Sequence, residues 1–141
     1  MHLSTNTRYA VRLLFELREP GPPVPTARLA ERIGIPLKTV ERIHAVLRQN
    51  GMTDGTVGVR GGIFLLQPLT AISLGQIVTL FDEGVKLAVC HGDKANECPM
   101  WNACSVSSAW NGISKLVQSA LDGISLWSIL RESSEAACPF G

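Results

Sequence analysis

Cys90, Cys98 and Cys104 place three of the chain's four cysteines in one stretch, CHGDKANECPMWNAC. Structural cysteines are usually buried and scattered through helices and strands. Thiolates gathered on one short segment instead suit a metal or a redox switch. Gly92, Asp93, Asn96, Pro99 and Asn102 lie between them. These residues break helix and strand alike, so the stretch reads as a loop.

Other chemistry is poorly supported. The sequence has no Gly-rich phosphate loop, no nucleophile–base pattern and no paired carboxylates in a plausible cleft. His91 follows Cys90, but adjacent residues rarely aim at each other. An enzyme is therefore not expected. No apolar run approaches the roughly 20 residues of a membrane span. The start, MHLSTNTRYAV, lacks the pattern of a secretory leader. The expected place is the cytoplasm, where thiols stay reduced. That favours a metal site or a regulated thiol over a disulfide framework.

The 141 residues suit one compact unit with a net charge of +1. The charge is unevenly spread. Residues 1–66 hold nine Lys/Arg against five Asp/Glu, and residues 67–141 hold four against seven. A basic head on a mildly acidic remainder fits a nucleic-acid face joined to a different module.

The loop needs elements on both sides to position it. A helical pattern over Thr5–Leu17 puts Tyr9, Ala10, Leu13, Leu14 and Leu17 on one face. PGPPVP at 20–25 ends that helix in a stiff loop. Thr26 can cap a short helix to Ile33, and Gly34 suits the left-handed position that closes it. Pro36 fits the first turn of a third helix, which stops at Asn50-Gly51. Two short helices joined by a tight glycine turn make a helix-turn-helix.

On the third helix, Val40, Ile43, His44 and Leu47 share one side. Lys38, Arg42, Ala45 and Gln49 lie opposite, with Thr39 and Glu41 on the flanks. Cations, an amide and a methyl form a set that can read base edges in a major groove. His44, on the core side, reads as packing rather than as a ligand. Residues 52–66, MTDGTVGVRGGIFLL, predict a β-hairpin with arms Thr53–Val57 and Gly62–Leu66. Arg60 at its tip can enter a minor groove. The candidate DNA contacts are Lys38, Thr39, Arg42 and Arg60, with Thr26 and Arg28 at the start of the second helix.

Ser73 and Gln76 form a capping box for a helix to about Glu83. After the cysteine loop, a long helix spans about Ser105 to Leu121. Its apolar stripe is Trp110, Ile113, Leu116, Val117, Ala120 and Leu121. The head has core enough of its own, so a second copy of this helix is the simplest partner. Ser125 caps a short helix to about Leu130, and a loosely ordered tail follows. The expected fold is mainly α with a small β-hairpin wing: a winged helix-turn-helix head plus a long C-terminal dimerisation helix. The expected divisions are a DNA-binding head over 1–83, a cysteine loop over 84–104, the dimer helix with its following short helix over 105–130, and a flexible tail over 131–141.

In these landmarks the chain resembles the Rrf2 family of bacterial transcription regulators. The resemblance rests on MHLSTNTRYAV, ARLAERIGIPLKTVERIHAVLRQNG, VRGGIFLL, the DEGV turn, the three cysteines and DGISLWSIL. It covers nearly everything from Met1 to about Leu130. It implies a homodimer that binds a double-stranded DNA operator. It also implies an iron–sulfur cluster on Cys90, Cys98 and Cys104, with [2Fe–2S] preferred to [4Fe–4S]. Soft thiolates bind iron well. Ser107 stands where one branch has a histidine. Arg8 stands where other branches take an acid from the partner's first helix. Val57 stands where relatives often carry a wing arginine. The fourth ligand is left open among Cys138, His91, Asp93 and an exogenous group. A cluster-free thiol switch, a zinc clip and control by a partner protein are the competing readings.

Overall fold

The computed structural model describes residues 2–18, 20–91 and 95–135. Helix α1 (Thr5–Leu17) is capped by Ser4, whose side chain accepts from the Thr7 N–H. Its buried face is Thr7, Ala10, Leu13, Leu14 and Leu17; the periodicity predicts all but Thr7, and Tyr9, which it also places there, packs only partly on the core. Helices α2 (Thr26–Ile33) and α3 (Leu37–Gln49) follow. Gly34 between them takes the left-handed conformation, φ 75°.

Both helix starts differ from expectation by a residue. Thr26 is the first helical residue, and Pro25 is the cap. Pro36 likewise caps α3 from outside. Proline has no N–H to leave unpaired, while its carbonyl can still receive the first helical bond. The Leu29 N–H reaches Pro25 O at 3.1 Å and the Val40 N–H reaches Pro36 O at 3.2 Å.

Strands β1 (Thr53–Thr56) and β2 (Gly62–Leu65) pair antiparallel, with Thr53 opposite Leu65 and Thr56 opposite Gly62. The proline-rich loop contributes what periodicity could not show. Val24 forms a bridge with Ile63, donating at 2.8 Å and accepting at 2.9 Å. The wing therefore rests on the segment just before α2.

Helix α4 (Leu74–Asp82) carries the predicted capping box of Ser73 and Gln76. Ile77 and Val78 are buried, and Leu80 and Phe81 pack partly on the core. Helix α5 (Ser107–Asp122) crosses α4 at Gly75, where an added Cβ would lie within 1.9 Å of the Asp122 carboxylate. Helix α6 (Leu126–Glu135) runs past Leu130, so the chain stays helical over part of the expected tail. Nothing in RESSE forbids helix, and the Ser133 hydroxyl donates to Ile129 O at 2.8 Å.

The core joins α1, α2, α3, β2 and α4 with Leu69, Ile72 and Leu126. Leu126 is fully buried and lies in that same core. Its N–H donates to Ile72 O at 2.9 Å, and the Leu74 N–H donates to Ile124 O at 2.8 Å. Each such fully buried aliphatic side chain contributes about 1.5–3 kcal/mol. The start of α6 is thus tied to the head. The apolar stripe of α5 is not. Trp110, Ile113 and Leu116 are 43%, 41% and 72% exposed, and Ser114 is the one buried residue of that helix.

Gly62 tests the wing's seat. A Cβ there would lie 2.2 Å from Val24 O and 2.7 Å from Pro25 N, both backbone. Gly62→Ala is expected to cost about 1–3 kcal/mol, as overpacking does. A shift in the urea midpoint at unchanged m-value measures it. Gly112→Ala on α5, where nothing lies within 4 Å, is the control and is expected to be neutral or stabilising.

Candidate functional site

The buried side of α3 is Val40, Ile43 and Leu47, so its opposite side faces out. Lys38, Arg42, Ala45 and Gln49 are all exposed there, and Thr39 is half-buried on the flank. Arg42 is held by a neighbour: its Nη2 donates to Asn6 Oδ1 of α1 at 3.0 Å. Arg48, near the end of α3, pairs with Asp54 of β1 at 2.9 Å. This pair joins the outward helix to the wing.

Thr26 lines a groove with Arg48, Thr56, Gly58 and Gly61, between the start of α2, α3 and the hairpin. Arg28 is exposed one turn into α2. Arg60 sits in the tip turn, which the Gly61 N–H closes on Gly58 O at 3.0 Å. Val57 and Val59 beside it are fully exposed. The predicted DNA contacts therefore fall into three places: the outward face of α3, the start of α2 and the wing tip. Asn6 was missed because a partly buried polar residue in a first helical turn carries no signal of a contact 36 positions away.

His44 is half-buried, as a packing residue should be, and its Nδ1 lies 3.1 Å from the buried Thr53 hydroxyl. Burial disfavours its charged form, and the Arg48 cation adds to that. Asp54 opposes them without reversing the result, so the pKa is below 6.5.

The cysteine segment is a loop with two short 3₁₀ turns, Val89–His91 and Ala95–Glu97, packed against each other. Cys90, Cys98 and Cys104 are free thiols, each half-buried. Among the described residues, no three His, Cys, Asp or Glu side chains are arranged to hold one metal ion. The side chain of His91, together with Asp93 and Cys138, lies outside the described residues. Three soft thiolates fit an iron–sulfur group by donor chemistry. A bound metal would draw such thiolates together, since a metal site is seldom formed before the ion binds. The Ser107 hydroxyl donates to Cys104 O at 3.3 Å.

The loop's approach is fastened by polar side chains that periodicity assigns no role. The Val85 N–H donates to Gln118 Oε1 at 3.1 Å and the Leu87 N–H to Ser114 Oγ at 3.2 Å. Gln118 Nε2 also donates to Gly75 O at 3.2 Å and to Asp122 Oδ1 at 2.9 Å. At the root of the loop, Asp82 Oδ2 accepts from the Thr7 hydroxyl at 2.7 Å and from the Ser4 N–H at 3.1 Å. Partial burial pushes the Asp82 pKa up, but the hydrogen bonds from Ser4 and Thr7 outweigh it and leave it below the ordinary carboxylate value.

A helix-turn-helix with an attached hairpin, a cationic outward helix and an arginine at the wing tip define a winged-helix DNA-binding protein. Residues 3–132 match the family model Rrf2, described as an iron-dependent transcriptional regulator. The chain belongs to the Rrf2 family. The HTH-type transcriptional regulator IscR of Yersinia pseudotuberculosis serotype O:1b (strain IP 31758) is 34% identical over 128 residues, covering 89% of this chain and 77% of that protein. IscR of Aliivibrio salmonicida (strain LFI1238) is 33% identical over 132 residues, covering 92% and 77%. The solved structure of T. potens IscR superposes with a TM-score of 0.71 at 25% identity, covering 100% of this chain and 94% of that one. CymR of B. subtilis shares the fold, with a TM-score of 0.70 at 20% identity over 94% and 98%. This chain is a DNA-binding transcription regulator and not an enzyme.

The His44 environment fixes a sign. A folded-state pKa below 6.5 means that the native state holds the ring neutral. Its contribution to stability is complete above pH 6.5 and is lost as pH falls below that value. Unfolding midpoints are expected to decline on the acid side of 6.5, and less steeply in His44→Asn, which does not titrate there.

Proposed function

We propose that this chain acts as a homodimer that binds a near-palindromic operator, with affinity governed through an iron–sulfur cluster on Cys90, Cys98 and Cys104. One observation carries the reading. The segment holding three half-buried thiols is fastened to α5 by Ser114 and Gln118, and at its root to α1 by Asp82. A change in that segment therefore bears on both the head and the long helix. The family's description and the IscR relatives support iron as the group concerned.

The head residues bind and orient DNA. The α3 face of Lys38, Thr39 and Arg42 enters a major groove. Thr26 and Arg28 meet backbone phosphates, and Arg60 reaches the adjacent minor groove. Two copies joined through the exposed α5 stripe set the half-sites about 34–36 Å apart. When bound, the cluster supplies a redox-sensitive constraint on the loop conformation. A few kcal/mol of bias between two arrangements is enough for control. The fourth ligand is left unassigned.

A second reading starts from the same three half-buried thiols, which lie on one loop and are unpaired, so that an oxidant can reach them. They would then act as a cluster-free disulfide switch. Anaerobic purification separates the two. A coloured protein with iron and sulfide, differing from its stripped form by at least about tenfold in operator affinity, is expected; tenfold is 1.4 kcal/mol. Cys98→Ser is expected to lose the iron. Equal affinity of loaded and stripped protein would remove cluster control. A colourless protein with metal-independent redox response would favour the switch, and full-occupancy zinc a structural clip. Binding that is insensitive to salt would point to a protein partner instead of phosphate contacts.

Dimerisation has its own test. Leu116→Glu changes a side chain that is 72% exposed, so the subunit's own fold is expected to persist. Sedimentation should show a monomer, and operator affinity should fall about 100-fold with the loss of paired engagement.

A further inference from the structure

We propose that Asn6 is a positioning residue for base recognition: it holds the Arg42 guanidinium in the orientation from which Arg42 reads the operator. This inference rests on the reading of α3 as the DNA-reading helix. Arg42 stands exposed on the outward face, yet its Nη2 already donates to Asn6 Oδ1 at 3.0 Å. Lys38, on the same face, has no such tie among the described residues. A guanidinium has five N–H donors in one plane. Asn6 uses one, leaving four, which is enough for a bidentate pair with guanine O6 and N7.

An arginine already held gives up less rotamer freedom on docking than a free one, and it discriminates better because its plane is fixed. Asn6 is itself on a firm support. The first turn of α1 is capped by Ser4, and the fully buried Thr7 next to Asn6 donates its hydroxyl to Asp82 at 2.7 Å. Asp82 is the last residue of α4. Hydrogen bonds on consecutive residues of α1 thus lead from the root of the cysteine loop to an arginine on the reading face.

The test uses the full-length protein, with an operator selected from a random duplex library. Asn6→Ala is expected to lower the ratio of operator to unrelated-duplex affinity about 5- to 30-fold, part of what a bidentate base contact is worth. The loss should fall on the base pair whose preference Arg42→Ala erases. Affinity for unrelated duplex and the salt slope should not change, because Asn6 carries no charge. Asn6→Asp keeps the acceptor oxygen. It should keep the base preference while weakening binding to every duplex alike. Wild-type preference in Asn6→Ala, alongside its loss in Arg42→Ala, would overturn the role of Asn6 and leave the DNA-reading helix intact. So would an equal loss of affinity for operator and unrelated duplex in Asn6→Ala, which would make Asn6 a sequence-independent backbone contact. Circular dichroism monitors folding. If Asn6→Ala does not fold, loss of the base preference in folded Asn6→Asp overturns the inference. Failure of the wild type to select any operator removes the functional reading and this inference together, an outcome distinct from the others.

Discussion

The head depends on the apolar stripe of α1. Ala10, Leu13 and Leu14 are completely buried, and α2, α3, β2, α4 and α6 all contact this one helix. Thirteen residues of local periodicity therefore decide where α3, the wing and the helix before the cysteine loop meet. Because the stripe is shared, a shift of one packed element cannot be absorbed locally. Close-packed interiors pass such shifts to their neighbours.

Polar contacts are laid over this core at its ends. Asp82 joins the end of α4 to the start of α1, and Arg48 with Asp54 joins α3 to the wing. Gln118 joins α4, α5 and the approach to the cysteine loop. Arg48 and Asp54 are well exposed, and an isolated surface pair contributes little stability, about 0–1 kcal/mol. Their value is geometric. These polar contacts tie the exposed end of α3 to the wing, and the approach of the cysteine loop to α4 and α5, at positions outside the apolar core. The half-buried His44 beside Thr53 belongs to the same joint between α3 and β1.

The long helix α5 presents the opposite case. It buries Ser114, leaves Leu116 largely in solvent and leaves Trp110 and Ile113 about two-fifths exposed. A helix of this length keeps an apolar face in water only at a cost, because helical stability in proteins comes mostly from packing such a face. A second copy of the helix would cover it, which is the assembly proposed above.

Much of the architecture is legible in the sequence. Periodicity placed α1, α3 and the core side of α3. Gly34 announced its left-handed turn, and Ser73 with Gln76 their capping box, since these signals act over three or four residues. The motifs carried the Rrf2 resemblance that the family match supports. Tertiary structure alone decided the bridge of Val24 to Ile63, the burial of Leu126 in the head, the grip of Asn6 on Arg42 and the fastening of the loop by Gln118. Each joins residues more than thirty positions apart. Local propensity and periodicity describe a residue and its neighbours along the chain, whereas these contacts exist only once packed helices bring distant backbone and side chains within reach.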